Sequence, residues 1–239
     1  TGVANDIVIG GQGSDTVNAS RGSNLVFGDS ALLTAAPFDD PATKWAAHEF
    51  TVCDIETTGF VDGGNDTIDG SDGNDVIFGG AGNDIIRAGA GSDLVFGDQG
   101  KVECVGGRSF NTDNLPPLCV EFGGSIEYTA INVSQATGAG DDLVYGGSGD
   151  DVILGQQGAD VLYGEAGDDD LIGGHNVAGG LDTGDFIDGG SGDDVIAGDN
   201  ADICRTGNLL DPRLRALQGT AIYGTTPGGI GAAVAAARL

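Results

Sequence analysis

Gly79-Gly80-Ala81-Gly82-Asn83-Asp84-Ile85-Ile86-Arg87 decides the fold, because the pattern returns along the chain. It reappears as Gly146-Gly147-Ser148-Gly149-Asp150-Asp151-Val152-Ile153-Leu154 and as Gly189-Gly190-Ser191-Gly192-Asp193-Asp194-Val195-Ile196-Ala197. The period is nine and the consensus reads G-G-x-G-x-D-x-U-x, with U aliphatic. Thirteen copies hold this register. Their sixth positions are Asp6, Asp15, Asn24, Asp66, Asp75, Asp84, Asp93, Asp142, Asp151, Asp160, Asp169, Asp185 and Asp194. The eighth position is aliphatic in every copy, from Val8 through Ile86 to Ile196.

Each unit divides into a six-residue turn and a three-residue strand. Glycines at positions one, two and four suit a tight turn, since they accept φ > 0 and close backbone approach. Along the strand D-x-U-x, two-residue alternation points the aliphatic side chain inward. Two units make one coil of 18 residues, with a strand on each face and a turn on each edge. Stacked coils lie about 4.8 Å apart. Asp66 and Asp84 then fall on successive coils of one edge, and Asp75 and Asp93 on those of the other. Asp142/Asp160 and Asp151/Asp169 repeat the arrangement. Carboxylates stacked so closely repel unless a cation lies between them. Calcium suits the gap, because it takes six to eight oxygens in flexible geometry, whereas magnesium demands an octahedron and keeps its waters.

Composition agrees. The 239 residues include 46 Gly, 37 Asp or Glu and 9 Lys or Arg, for a net charge of −28. That balance excludes a nucleic-acid binder, which needs clustered Lys and Arg, and an anionic membrane surface. No apolar run approaches the roughly 18–20 residues that span a bilayer. A hydrophobic content of 39 % is too high for a solvated polyanion, so the acids imply a counter-ion absent from the sequence.

These nonapeptides resemble the repeats-in-toxin (RTX) family across about half the chain, in blocks 1–27, 61–96, 137–172 and 180–197. The resemblance implies an all-β, right-handed parallel β-roll that binds several calcium ions. It also implies that turn carbonyls join the sixth-position side chains as ligands, nominating Gly80, Gly82, Gly147, Gly149, Gly190 and Gly192. Asn24 brings oxygen without charge to its own block.

Inserts interrupt the roll at Gly28-Asp29-Ser30, Gly97-Asp98-Gln99 and Gly198-Asp199-Asn200, where Asp replaces the second-position Gly. Asp29, Asp98 and Asp199 are therefore further candidate ligands. The expected organisation is repeats over 1–27, an insert over 28–60, repeats over 61–96, an insert over 97–136, repeats over 137–197 with a break near 173–179, and a C-terminal cap over 198–239. Segments such as Glu49–Glu56 and Cys119–Phe122 read as β-hairpins that cover the roll, with a partner-binding surface as the alternative. Cys104 and Cys119 share one insert and suit a local disulfide; Cys53 and Cys204 either pair or stay free. His175 reads as a solvated loop residue. Asp211-Pro212 resembles a helix N-cap with Pro at N1, which predicts a short helix over 212–218.

Catalytic signatures are missing. His48-Glu49 starts like a zincin motif, but residue 52 is Val, and neither a nucleophile elbow nor a P-loop occurs. The expected function is non-enzymatic: a calcium-binding structural module of a large secreted or cell-surface protein, as spacer, adhesin or filament segment. The corner-plus-hairpin pattern resembles such RTX surface proteins more than the tail of an RTX protease or lipase. The alternative is the calcium-dependent export and folding cassette of a secreted RTX enzyme or toxin. Thr1 reads as the start of a processed chain or fragment. Calcium is the expected partner, with neighbouring copies of the chain or adjacent modules docking where self-capping fails.

Overall fold

A computed structural model describes residues 3–35, 52–104, 126–130, 139–177, 182–205 and 215–218. These hold nineteen strands, numbered β1 to β19 in chain order, and no helix. Seven form a parallel sheet: β1 (Ile7–Ile9), β3 (Leu25–Phe27), β7 (Val76–Phe78), β9 (Leu94–Phe96), β13 (Val152–Leu154), β15 (Asp170–Ile172) and β17 (Val195–Ala197), in that spatial order. Six form a second: β2 (Thr16–Asn18), β6 (Thr67–Asp72), β8 (Ile85–Ala90), β12 (Leu143–Ser148), β14 (Val161–Ala166) and β16 (Phe186–Asp188). Along the repeats the chain alternates between the sheets. Equivalent nonapeptide positions pair, as in Val76↔Leu94 and Ile85↔Thr67.

The core between the sheets is built from the eighth positions. Val17, Val26, Ile68, Ile77, Ile86, Val95, Val144, Ile153, Leu162 and Leu171 are buried there, with Val8, Ile187 and Ile196 packed at its ends. The strands are short, so each coil contributes little apolar area. Stability must accumulate from coil to coil.

A second core lies on the outer face of the seven-stranded sheet. Here Phe27, Phe78 and Phe96 stack with ring centroids 4.8 Å apart, an aromatic ladder set by the strand spacing. The inserts cover it. β4 (Ser30–Ala35) pairs antiparallel with β5 (Val52–Thr58), and β10 (Gly100–Cys104) with β11 (Ile126–Ala130). β5 also pairs with β10, so two inserts far apart in sequence form one sheet in the order β11-β10-β5-β4. Ile55 and Val102 bring this layer into contact with the Phe ladder.

Two expectations need correction. Arg215–Gln218 is not helical; it forms β19, antiparallel to β18 (Asp202–Arg205), with Ile203↔Leu217 in register. A seven-residue helix is costly to nucleate in isolation, and strand pairing with β18 satisfies the same backbone groups. His175 is buried rather than solvated. Its N–H donates to Asn200 Oδ1 at 2.6 Å and its carbonyl accepts from Ala201 N–H, so the Gly198-Asp199-Asn200 corner closes over it. The side chains of Cys53, Cys104, Cys119 and Cys204, and with them the disulfide expectations, lie outside the described residues, as do residues 206–214.

Candidate metal centre

The sixth-position residues form one ladder along each edge. On one edge Asp15, Asp66, Asp84 and Asp142 donate their N–H groups to Oδ1 of Asp66, Asp84, Asp142 and Asp160, at 2.7–2.8 Å. Asp160 continues it to Asp185 at 2.9 Å. On the other edge the series runs Asp6, Asn24, Asp75, Asp93, Asp151, Asp169 and Asp194. From Asn24 and Asp66 onward, each side chain thus spends one oxygen on the coil before it. The inserts do not break the sequence: Asp84 meets Asp142 across 58 residues, as Asp66 meets Asp84 across 18.

In ten of these residues the other carboxylate oxygen is left without a donor. Oδ2 of Asp6, Asp15, Asp66, Asp75, Asp84, Asp93, Asp142, Asp151, Asp160 and Asp185 is buried and accepts no hydrogen bond. An ionised oxygen in that position costs several kcal/mol unless something positive meets it. Accordingly, burial pushes the carboxyls of Asp75, Asp84 and Asp160 up to about 8 and that of Asp151 to about 9. Asp93, Asp169 and Asp185 rise to about 7 for the same reason. Asp142 is held far above the usual range by burial and then by Asp98, Asp84 and Asp160 around it. Asp66 is raised as well, again chiefly by burial.

Main-chain oxygens close in beside these carboxylates. A Cβ placed on Gly79 would lie 2.1 Å from Gly97 O and 2.5 Å from Asp84 Oδ2; one on Gly155 would lie 2.6 Å from Gly173 O and 2.5 Å from Asp160 Oδ2. Only glycine fits such a cradle. Gly80, Gly82, Gly147, Gly149, Gly190 and Gly192 all take left-handed φ, between +91° and +142°, which turns the peptide units of the corner. Among the described residues no three His, Cys, Asp or Glu side chains are grouped so that they could hold a metal ion by themselves. A cation held here would find carboxylate and carbonyl oxygens, a donor set of hard oxygens that suits calcium.

The corner acids divide. Asp29 is buried, accepts Ala81 N–H through Oδ2 at 2.5 Å, and keeps Oδ1 without a donor. Burial lifts its carboxyl to about 6. Asp98 instead engages both oxygens, Oδ1 with Gly140 N–H at 3.1 Å and Oδ2 with Gln157 N–H at 2.9 Å. It ties the start of the second insert to Gly140, where the repeats resume, and to the turn at Gln157. Asp199 is half-buried near Asp182 and Asp185.

Sequence reasoning missed a second polar ladder at the fifth position. Side-chain oxygens of Asn5, Ser23, Asn74, Ser92, Asp150 and Asp168 accept the N–H of the fifth residue one coil later, at 2.8–3.3 Å. It runs opposite to the sixth-position ladder. The signal was present, since position five is Asn, Ser or Asp in all copies but those with Ala159 and Gly184. Asp182 was also missed: its Oδ2 is buried without a donor, and its carboxyl is pushed up to about 8 by burial and then by Asp185.

Parallel sheets joined by Gly-rich turns, with a carboxylate row along each edge, define an all-β protein of stacked nonapeptide repeats. The repeats themselves belong to the RTX calcium-binding nonapeptide family, which matches in four copies, over residues 1–30, 60–95, 136–162 and 145–174. The same two sheets continue through β16 and β17, beyond the last matched residue. No curated protein matches the chain. Among the described residues no helix is long and apolar enough to cross a membrane.

Proposed function

We propose that this chain is a calcium-loaded structural segment of a large secreted or cell-surface protein, a right-handed β-roll that serves as spacer, adhesin or filament segment. The observation that carries the reading is the column of buried carboxylate oxygens without donors, repeated coil by coil on both edges. Asp66, Asp75, Asp84, Asp93, Asp142, Asp151, Asp160, Asp169, Asp185 and Asp194 would hold the ions, with turn carbonyls such as those of Gly80, Gly82, Gly147 and Gly149. Bound calcium supplies the positive charge that these oxygens lack. A structural rather than catalytic role is supported by the missing catalytic signatures and by acids that the ladders account for.

Folding and binding are then one equilibrium. Each site contributes about 2.7 kcal/mol when free calcium exceeds its Kd a hundredfold. Extracellular modules bind with Kd values on the order of 10⁻⁴–10⁻³ M, so the roll would assemble outside the cell and stay loose in cytosol. Circular dichroism tests this directly. The metal-stripped chain should give a coil spectrum, and millimolar calcium should restore the β signal. An unchanged spectrum after verified removal of metal would refute the proposal.

A further inference from the structure

Asn24 is the one sixth-position residue that is not Asp. It is fully buried, and its Oδ1 accepts Asp6 N–H at 3.0 Å, as each Asp of the ladder does for its own neighbour. That contact identifies the other terminal atom as the amide nitrogen. Nδ2 donates to Gly22 O at 2.6 Å and to Ser20 O at 3.2 Å. Ser20 and Gly22 are the second and fourth residues of the same turn, equivalent to Gly80 and Gly82 in the turn that ends at Asp84. At Asp75 and Asp93, next on this edge, the corresponding carboxylate oxygen Oδ2 has no donor.

We infer that the Asn24 carboxamide takes the place of a calcium ion in its own turn, making residues 19–24 a calcium-independent step in an otherwise calcium-dependent ladder. The amide brings two N–H donors to the carbonyls that a cation would otherwise bridge. It adds no charge to be neutralised. A carboxylate at the same position has only acceptors to offer those carbonyls, so it needs the ion. Asn24 is thereby assigned as the residue that excludes calcium, in place of the ligand role expected from its register.

This inference rests on the calcium reading above, and calcium counting by titration calorimetry on the full chain separates the two. Asn24→Asp should bind one more ion than the wild type. Asn24→Ala should bind the same number, because no ligand is lost, while the Asp6 amide exchanges faster with solvent. Asp93→Asn, which installs the same carboxamide in the matching turn of the same edge, should bind at least one ion fewer and still fold in calcium. A wild type that binds no calcium defeats the underlying reading. A wild type that binds calcium, with an Asn24→Asp variant that binds no more or an Asn24→Ala variant that binds less, overturns this inference alone.

Discussion

Asp84→Ala isolates what one rung of the ladder is worth. The Asp84 side chain is 1 % exposed, its Oδ1 accepts Asp66 N–H at 2.8 Å, and its Oδ2 has no donor. Alanine leaves the buried Asp66 N–H without an acceptor, which costs about 1–3 kcal/mol. It also strips a charged oxygen from a bound cation, comparable to breaking a buried ion pair at about 3–5 kcal/mol. The calcium-loaded protein should lose about 4–8 kcal/mol in all, a large part of the about 5–15 kcal/mol typical of a domain. Asp84→Asn keeps an acceptor for Asp66 N–H, so it should be milder than alanine by about the 1–3 kcal/mol of that hydrogen bond. The exposed Asp62, outside the ladder, provides the control. Urea unfolding at saturating calcium and calcium midpoints by circular dichroism measure all three variants. Without calcium the balance changes, because alanine also removes a carboxyl whose ionisation burial opposes, pushing it up to about 8. Equal calcium midpoints for Asp84→Ala and Asp62→Ala would refute the register and the role of the ladder.

The metal-stripped chain should gain β-structure as pH falls. Carboxyls such as Asp75 and Asp151 sit at about 8 and 9 in the fold, above the unfolded value of about 3.9, so this stability is full below pH ~4, declines above it, and is lost once pH has risen through about 8–9. A β signal that instead grows with pH after metal removal contradicts this. Ser71, at φ +84°, should gain about 0.5–1 kcal/mol on mutation to Gly, since relief of left-handed strain outweighs the added unfolded-state freedom. Gly147→Ala should lose about 2–3 kcal/mol, because its Cβ would meet Gly89 O at 1.9 Å at φ +117°; thermal unfolding of both variants in calcium tests the pair. Asp98→Ala strands two buried donors, for a loss of about 2–6 kcal/mol, and hydrogen exchange should show Gly140 and Gln157 losing protection together.

Periodicity alone determined the repeat architecture. A nine-residue phase shared by Gly, Asp and aliphatic positions admits one solution, in which the eighth residues point inward and the sixth residues line the edges. Those constraints are local, and every copy repeats them, so the core from Val8 to Ile196 and the pairing of Asp66 with Asp84 were legible in the sequence. Whether the ladder survives an insert was not, because 33 or 40 intervening residues carry no phase. Only the tertiary structure shows Asp84 bonded to Asp142 and the Asp98 carboxylate holding the returning chain at Gly140 and Gln157. The joining of β5 to β10, the strand at 215–218 and the burial of His175 likewise depend on partners distant in sequence. Asn24 shows the division within one residue. Its departure from Asp is visible in the sequence, but the position of its amide depends on where the turn carbonyls of Ser20 and Gly22 point, and backbone direction in a turn is set by the packed coils around it.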